Sequence, residues 1–284
     1  MYAPEYAYRL VRTLAGKGSR PVEFAATLHG IAVDRNGAVY AAGDSEVKLF
    51  DPAGPLQRRW PTTRPGLSVA VAPDGTVWVG ELGQIEIFDS AGKLVNTWRD
   101  ENLLGRVTAI GFSAGSVFAG DAAGRTIRRF DHSGKFRIHI GKDNPTNGLL
   151  IPNGVVDFDV DAAGVIFAAN PGKHRVERYS AAGELLGRIG RFSGPDPTGF
   201  SGCCNPTNVA VVKDRGIFVT EKAGPRAKFY DFSGKLLATI DGDFFDPMCK
   251  NMDIAVDGRG RVSVVDTVKL QVLIFEPVQG GLPA

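Results

Sequence analysis

The sequence predicts an all-β protein, a six-bladed β-propeller built of four-stranded antiparallel blades. Three observations carry that prediction. Short runs of alternating apolar residues, bounded by Gly, Pro and Asp, recur along the whole chain, as half-buried strands joined by tight turns do. The runs group into six units at roughly 40- to 50-residue spacing, with first strands anchored on Ile31, Val69, Ile110, Phe158, Val209 and Ile254; a period of that length marks a repeat architecture. The third strand of each unit ends on an aromatic, at Phe50, Phe88, Phe130, Tyr179, Tyr230 and Phe275. A four-stranded sheet of about 30 residues cannot bury its own faces. Six of them packed round an axis can, and closing the ring leaves no exposed inner edge.

The unit is plainest in residues 69–98, where runs around Val69, Trp78 and Ile87 are separated by a Pro73-Asp74-Gly75 turn and a Glu81-Leu82-Gly83 loop. A turn from Asp89 to Gly92 then leads into the fourth run, and Asp-x-x-Gly turns recur at Asp51, Asp131 and Asp231. On this pattern the blades fall near 22–60, 66–98, 106–141, 151–192, 205–241 and 247–277. The last unit lacks a fourth strand after Phe275-Glu276-Pro277, while residues 8–14 form a run with no preceding strand of their own. The N-terminal strand is therefore expected to complete the last blade and close the ring. Residues 1–284 read as a single domain with no linker.

Composition narrows the class. A hydrophobic fraction of 43% with 36 glycines suits many short strands and turns and is too apolar for disorder. A net charge of +2 gives no nucleic-acid field. No run of 18 apolar residues occurs, so no membrane-inserted helix is expected. Three cysteines in a chain this long are no disulfide framework. The first six residues show no basic segment followed by an apolar core, so no leader is visible.

The repeat residues resemble the NHL-repeat propellers. The matching stretches are Gly30-Ile31-Ala32-Val33-Asp34-Arg35-Asn36-Gly37, Asp253-Ile254-Ala255-Val256-Asp257-Gly258-Arg259-Gly260 and His174-Arg175-Val176. Within that class, Gly202-Cys203-Cys204-Asn205-Pro206-Thr207 and Thr220-Glu221-Lys222, followed by Pro225-Arg226, resemble a bacterial subfamily of unassigned activity. The resemblance implies the fold and an exported, periplasmic location, with any leader peptide absent from this sequence. It specifies function poorly, since one propeller architecture hosts binding modules and enzymes alike.

Chemistry is expected on the face where the chain enters each innermost strand. The residues just before those strands are Gly30, Ser68, Ala109, Asp157, Asn208 and Asp253, with His29 one step earlier. The residues closing the second strands are Asp44, Glu81, Asp121, Asn170, Glu221 and Asp266. An acid at a strand end often only satisfies turn amides, and nearby bases such as Lys222 and Arg226 are placed to neutralise this second ring. Cys204 and Cys249 lie equally far before their innermost strands on neighbouring blades, with Cys203 beside one of them. A disulfide from Cys249 to Cys203 or Cys204, a thiolate-bound metal or iron–sulfur cluster, and free thiols all remain open. Resemblance to the gluconolactonase and paraoxonase propellers implies a calcium-type ion on Asn153, Asp157, Asn208 and Asp253, although other motifs of that group are missing. Resemblance to the peptide-amidating NHL lyase implies zinc on channel histidines, yet of the four histidines only His29 reaches the channel mouth in this alignment. No Gly-x-Ser-x-Gly elbow, phosphate loop or His-Glu-x-x-His motif occurs.

The long connections 141–153 and 190–206 lead to blades four and five, and long loops on a rigid ring carry function. The expected function is a non-catalytic binding or scaffold propeller. It docks a protein or small ligand through His29, Asn153, Asp157, Asn208, Glu221, Lys222, Arg226 and Asp253, near blades four to six. The alternatives are a thiolate metal or redox centre at Cys203, Cys204 and Cys249, and a metal-dependent hydrolase or lyase using the channel.

Overall fold

The computed structural model describes residues 5–113, 115–142 and 148–278. Part of the long 141–153 connection and the first residues of the N-terminal segment lie outside that range. Six four-stranded antiparallel sheets form the molecule. Blades one and two run Gly30–Val33 to Leu56–Pro61 and Ser68–Val71 to Leu94–Arg99, and blade three Val107–Ser113 to Phe136–Ile140. Blades four and five run Phe158–Val160 to Leu185–Ile189 and Val209–Val212 to Leu236–Ile240. Blade six pairs Ile254–Val256, Val262–Asp266 and Gln271–Pro277 with the N-terminal strand Tyr8–Ala15. That closing ladder runs from Tyr8 opposite Pro277 to Ala15 opposite Gln271, with one irregularity between Leu10 and Arg12.

The turn chemistry follows from the sequence. In blade three Asp131 Oδ1 accepts the amides of Ser133 at 2.9 Å and Lys135 at 3.0 Å. Gly134 takes φ = +82° there, a region that suits glycine. The aromatic that closes each third strand also has a structural reason. In blades one to five the ladder to the outer strand shifts register at that residue, for example between Arg129 and Phe130 and between Phe229 and Tyr230. Such a bulge sharpens the local twist of the sheet, and the ring fills the space between neighbouring blades.

Each of the six blade–blade interfaces holds a buried apolar cluster. Trp60 from the outer strand of blade one stacks obliquely on Phe88 of blade two, with ring centroids 6.0 Å apart. Trp78 and Trp98 meet edge to face at 4.8 Å between blades two and three. The core is thus a wheel of wedges, and its hub is the channel.

Candidate functional site

In a propeller the innermost strand of each blade turns one backbone edge toward the channel, and that edge needs hydrogen-bond partners. Three aspartates supply them across blade boundaries. Asp157 Oδ2 accepts the Val209 amide, Asp159 Oδ2 the Val211 amide and Asp253 Oδ2 the Ile31 amide, each at 2.7 Å. The first two tie blade four to blade five, and the third ties blade six to blade one. All three line a cavity of about 570 Å³. It reaches from Ser68, Thr108, Asp157 and Asp253 at the start of the innermost strands to turn residues such as Asp34 and Pro73 at their far end.

Burial and mutual charge perturb these acids. Burial, then the Asp253 charge, pushes the Asp157 carboxyl well above the usual range against the bond from Val209. Burial carries Asp253 up to about 7, although the Ile31 and Ile254 amides favour its ionised form. Burial likewise raises Asp159. The Asn208 carboxamide interacts with both Asp157 and Asp253, and its Oδ1 is buried without a hydrogen-bond partner. The structure therefore brings together Asp157, Asn208 and Asp253 of the expected site. It adds Asp159, which sequence reasoning missed. A signal for it exists: the middle residue of the other innermost strands is Ala32, Ala70, Gly111, Ala210 or Ala255, and only blade four puts a charge there.

The other expected residues stand apart. His29 is half-buried at the mouth; burial and then the Arg106 charge hold its imidazole below the usual value. Asn153 donates to the Asn251 side chain across the mouth from blade four to blade six, and its own Oδ1 is buried without a partner. Glu221 and Arg226 bind each other, and Lys228 Nζ lies 2.8 Å from the other Glu221 oxygen. Glu221 and Lys228 are buried and anchor blade five, so Glu221 does not lie open as a ligand contact, while Arg226 stays partly exposed. The Lys222 amide donates to Asn205 Oδ1 at 2.9 Å. Most of the second ring is likewise structural: Asp44 accepts three consecutive loop amides from Ala25 to Thr27, and Asp121 pairs with Arg128.

The three cysteines are free, Cys203 exposed and Cys204 and Cys249 buried. Of the alternatives left open for them, a bridge from Cys249 to Cys203 or Cys204 is not formed, because Cys249 turns into the core between blades five and six. There its thiol donates to Asp266 Oδ1 at 3.0 Å, and burial with that bond raises it to about 11. Equivalent positions on a ring are related by rotation and need not converge. Among the described residues no three His, Cys, Asp or Glu side chains gather as metal ligands, so a three-thiolate centre has no support. The calcium set does not fit either. Asp157 and Asp253 each commit an oxygen to a backbone amide, and no group of three acids gathers there as metal ligands among the described residues, whereas calcium takes about six to eight oxygens.

No family model matches the chain, and no curated protein matches it. Solved structures do. A protein of unknown function from Bacteroides thetaiotaomicron superposes with a TM-score of 0.75 at 14% identity, over 96% of this chain and 76% of that one. Virginiamycin B lyase from Staphylococcus aureus gives 0.66 at 12% identity, over 96% of this chain and all of that one. The WD40 propeller domain of Doa1 gives 0.59 at 14% identity, over 88% and 78%. The likeness is one of fold. The NHL-type repeat residues sit on that fold without a matching family to assign them, and no helix among the described residues is long and apolar enough to cross a membrane.

Proposed function

We propose that the protein is a non-catalytic binding propeller that takes a small ligand, or one side chain of a protein partner, into the channel at blades four to six. The observation that carries this reading is the Asp157–Asp253 pair beside Asn208, whose buried Oδ1 lacks a partner. Two acids that hold protons against each other's charge are stabilised as carboxylates when a cation comes between them. A compact ammonium or amidinium group supplies that cation, and its N–H also satisfies Asn208. Leu82, Phe192 and Met248, exposed by 50%, 62% and 68% on loops of the mouth face, give a protein partner apolar surface to bury.

The test is calorimetric titration with a panel of small primary amines and amidines, in buffers of differing ionisation enthalpy. Binding with release of protons is expected near neutral pH, and Asp253→Asn, which keeps an acceptor for the Ile31 amide, is expected to abolish the proton release. No binding across the panel, or binding indifferent to that variant, overturns the reading.

A second reading rests on the same pair. Carboxyls whose environments move them toward neutrality suit general acid–base work, and one protein of similar fold is a lyase. Turnover of an amine-bearing or lactone substrate that is lost in Asp253→Asn would favour this alternative.

A further inference from the structure

The loop 190–206 is fastened to blade five at several points. Lys228 Nζ donates to the Gly199 carbonyl at 2.7 Å, Tyr230 Oη to the Thr198 carbonyl at 3.0 Å, and Arg226 Nη2 to Ser201 Oγ at 3.0 Å. The Asn205 carboxamide donates to the Ser201 and Lys222 carbonyls at 2.8 and 3.0 Å and accepts the Lys222 amide. Held by this clasp, Cys204 takes φ = +71°, a left-handed conformation that a β-carbon disfavours. Backbone kept in such a region by its surroundings concentrates at functional sites. The clasp presents two thiols on adjacent residues, Cys203 exposed and Cys204 buried, and burial with the neighbouring Cys203 thiol raises the Cys204 thiol above its ordinary value. Both line a groove of about 510 Å³ whose walls include Leu150, Ile151 and Pro152.

We propose that Cys203 and Cys204 form a dithiol site for a trivalent organometalloid, an arsenical or antimonial, with its organic arm in the groove. The choice follows by elimination among partners for two sulfurs. Zinc and iron–sulfur clusters need four protein or solvent ligands, and no third His, Cys, Asp or Glu ligand joins the pair among the described residues. A disulfide joining adjacent residues is strained, because their α-carbons sit about 3.8 Å apart and disulfides span about 4.4 Å or more. A linear two-coordinate soft ion needs its sulfurs on opposite sides. A pyramidal trivalent centre joins two neighbouring sulfurs at a narrow angle, and its third substituent then points away from the loop. The apolar wall of the groove receives that substituent. In the capture step an aryl-As(OH)₂ group exchanges two As–O bonds for two As–S bonds. The two thiol protons leave with the two hydroxides as water, and neither arsenic nor sulfur changes oxidation state.

The site is independent of the channel reading, and its test does not touch the channel. Protein reduced with a phosphine and freed of it is treated with phenylarsine oxide and weighed intact. The wild type and Cys249→Ser are each expected to gain one phenylarsenic group that survives excess 2-mercaptoethanol and is removed by 2,3-dimercaptopropanol. Cys203→Ser, a change at an exposed position whose fold is checked by circular dichroism, is expected to gain none. An unlabelled wild type, an adduct stripped by the monothiol, or labelling retained in Cys203→Ser overturns the proposal. Phenylarsine oxide should also displace inorganic arsenite; equal retention of the two removes the groove from the site.

Discussion

Asp253 does two jobs that pull in opposite directions. Its carboxyl caps the Ile31 amide and so joins the last blade to the first, a task best done by an anion. Yet it stands in a buried cluster with Asp157 and Asp159, where charge is costly, and it titrates near 7. The linkage has a definite sign. The folded value lies above the unfolded one, so this contribution to stability is complete below about pH 4 and is lost as pH rises through 7. The wild type is expected to lose on the order of 2 kcal/mol between about pH 5 and pH 8 from this group, allowing for water in the channel. Asp253→Asn should flatten that slope in urea titrations at the two pH values; an unchanged slope would place the titration elsewhere. The mouth acids were legible in the sequence because they stand at a fixed offset from an anchored strand. Asp159 was legible only by comparing the middle residue of all six strands. Cys249 was misplaced because sequence equivalence carries no information about which way a side chain turns.

In blades three and five the third strand carries a buried partner for the acid that ends the second. Blade three uses Arg128 with Asp121 and blade five uses Lys228 with Glu221. Blade two departs from this, since Glu81 faces Glu86, both buried. Burial, with the Glu86 charge adding to it, lifts Glu81 to about 8 even though Gln84 donates to it. Glu86 is occupied by Thr63, whose hydroxyl donates at 2.7 Å and whose amide donates at 3.1 Å. A proton retained on Glu81 is what makes the pair tolerable. Here too the folded value is raised, so stability present at acid pH is lost as pH climbs through 8. Glu81→Gln copies the protonated form, and its amide can donate toward Glu86. Its melting temperature is expected to fall less than that of the wild type between about pH 6 and pH 9; parallel declines would refute the pairing. By contrast Lys228→Met leaves Glu221 short of a buried countercharge and frees the loop at Gly199. A loss of about 3–5 kcal/mol is expected by denaturant unfolding. Sequence spacing located these acids on one ring, but their partners come from strand register, which spacing alone does not reveal.

At the scale of the whole molecule the ring is joined by one non-covalent ladder. Tyr8–Ala15 covers the outer edge of Gln271–Pro277, with Arg9 paired to Glu276. The same arm reaches back to blade five, where the Glu5 amide donates to the Leu237 carbonyl at 2.8 Å and the Tyr8 ring meets Phe218 edge to face at 5.4 Å. Leu14, at the far end of the strand, is buried with Phe24, Ile31, Val265 and Val272 between blades six and one. Each blade needs both neighbours to bury its faces, so a defect at this seam should be felt round the ring. Leu14→Ala is expected to cost about 2–4 kcal/mol, the usual range for truncating a buried leucine, whereas Val11→Ala on the exposed face of the same strand should cost well under 1 kcal/mol. Hydrogen exchange then tells a cooperative wheel from a row of separate blades. Cooperative closure requires Leu14→Ala to lower protection of the slowest amides in blade three, the far side of the ring, by the same free energy as in blade six. Protection lost in blade six alone, with blade three unchanged, would mean that the seam holds only its own blade.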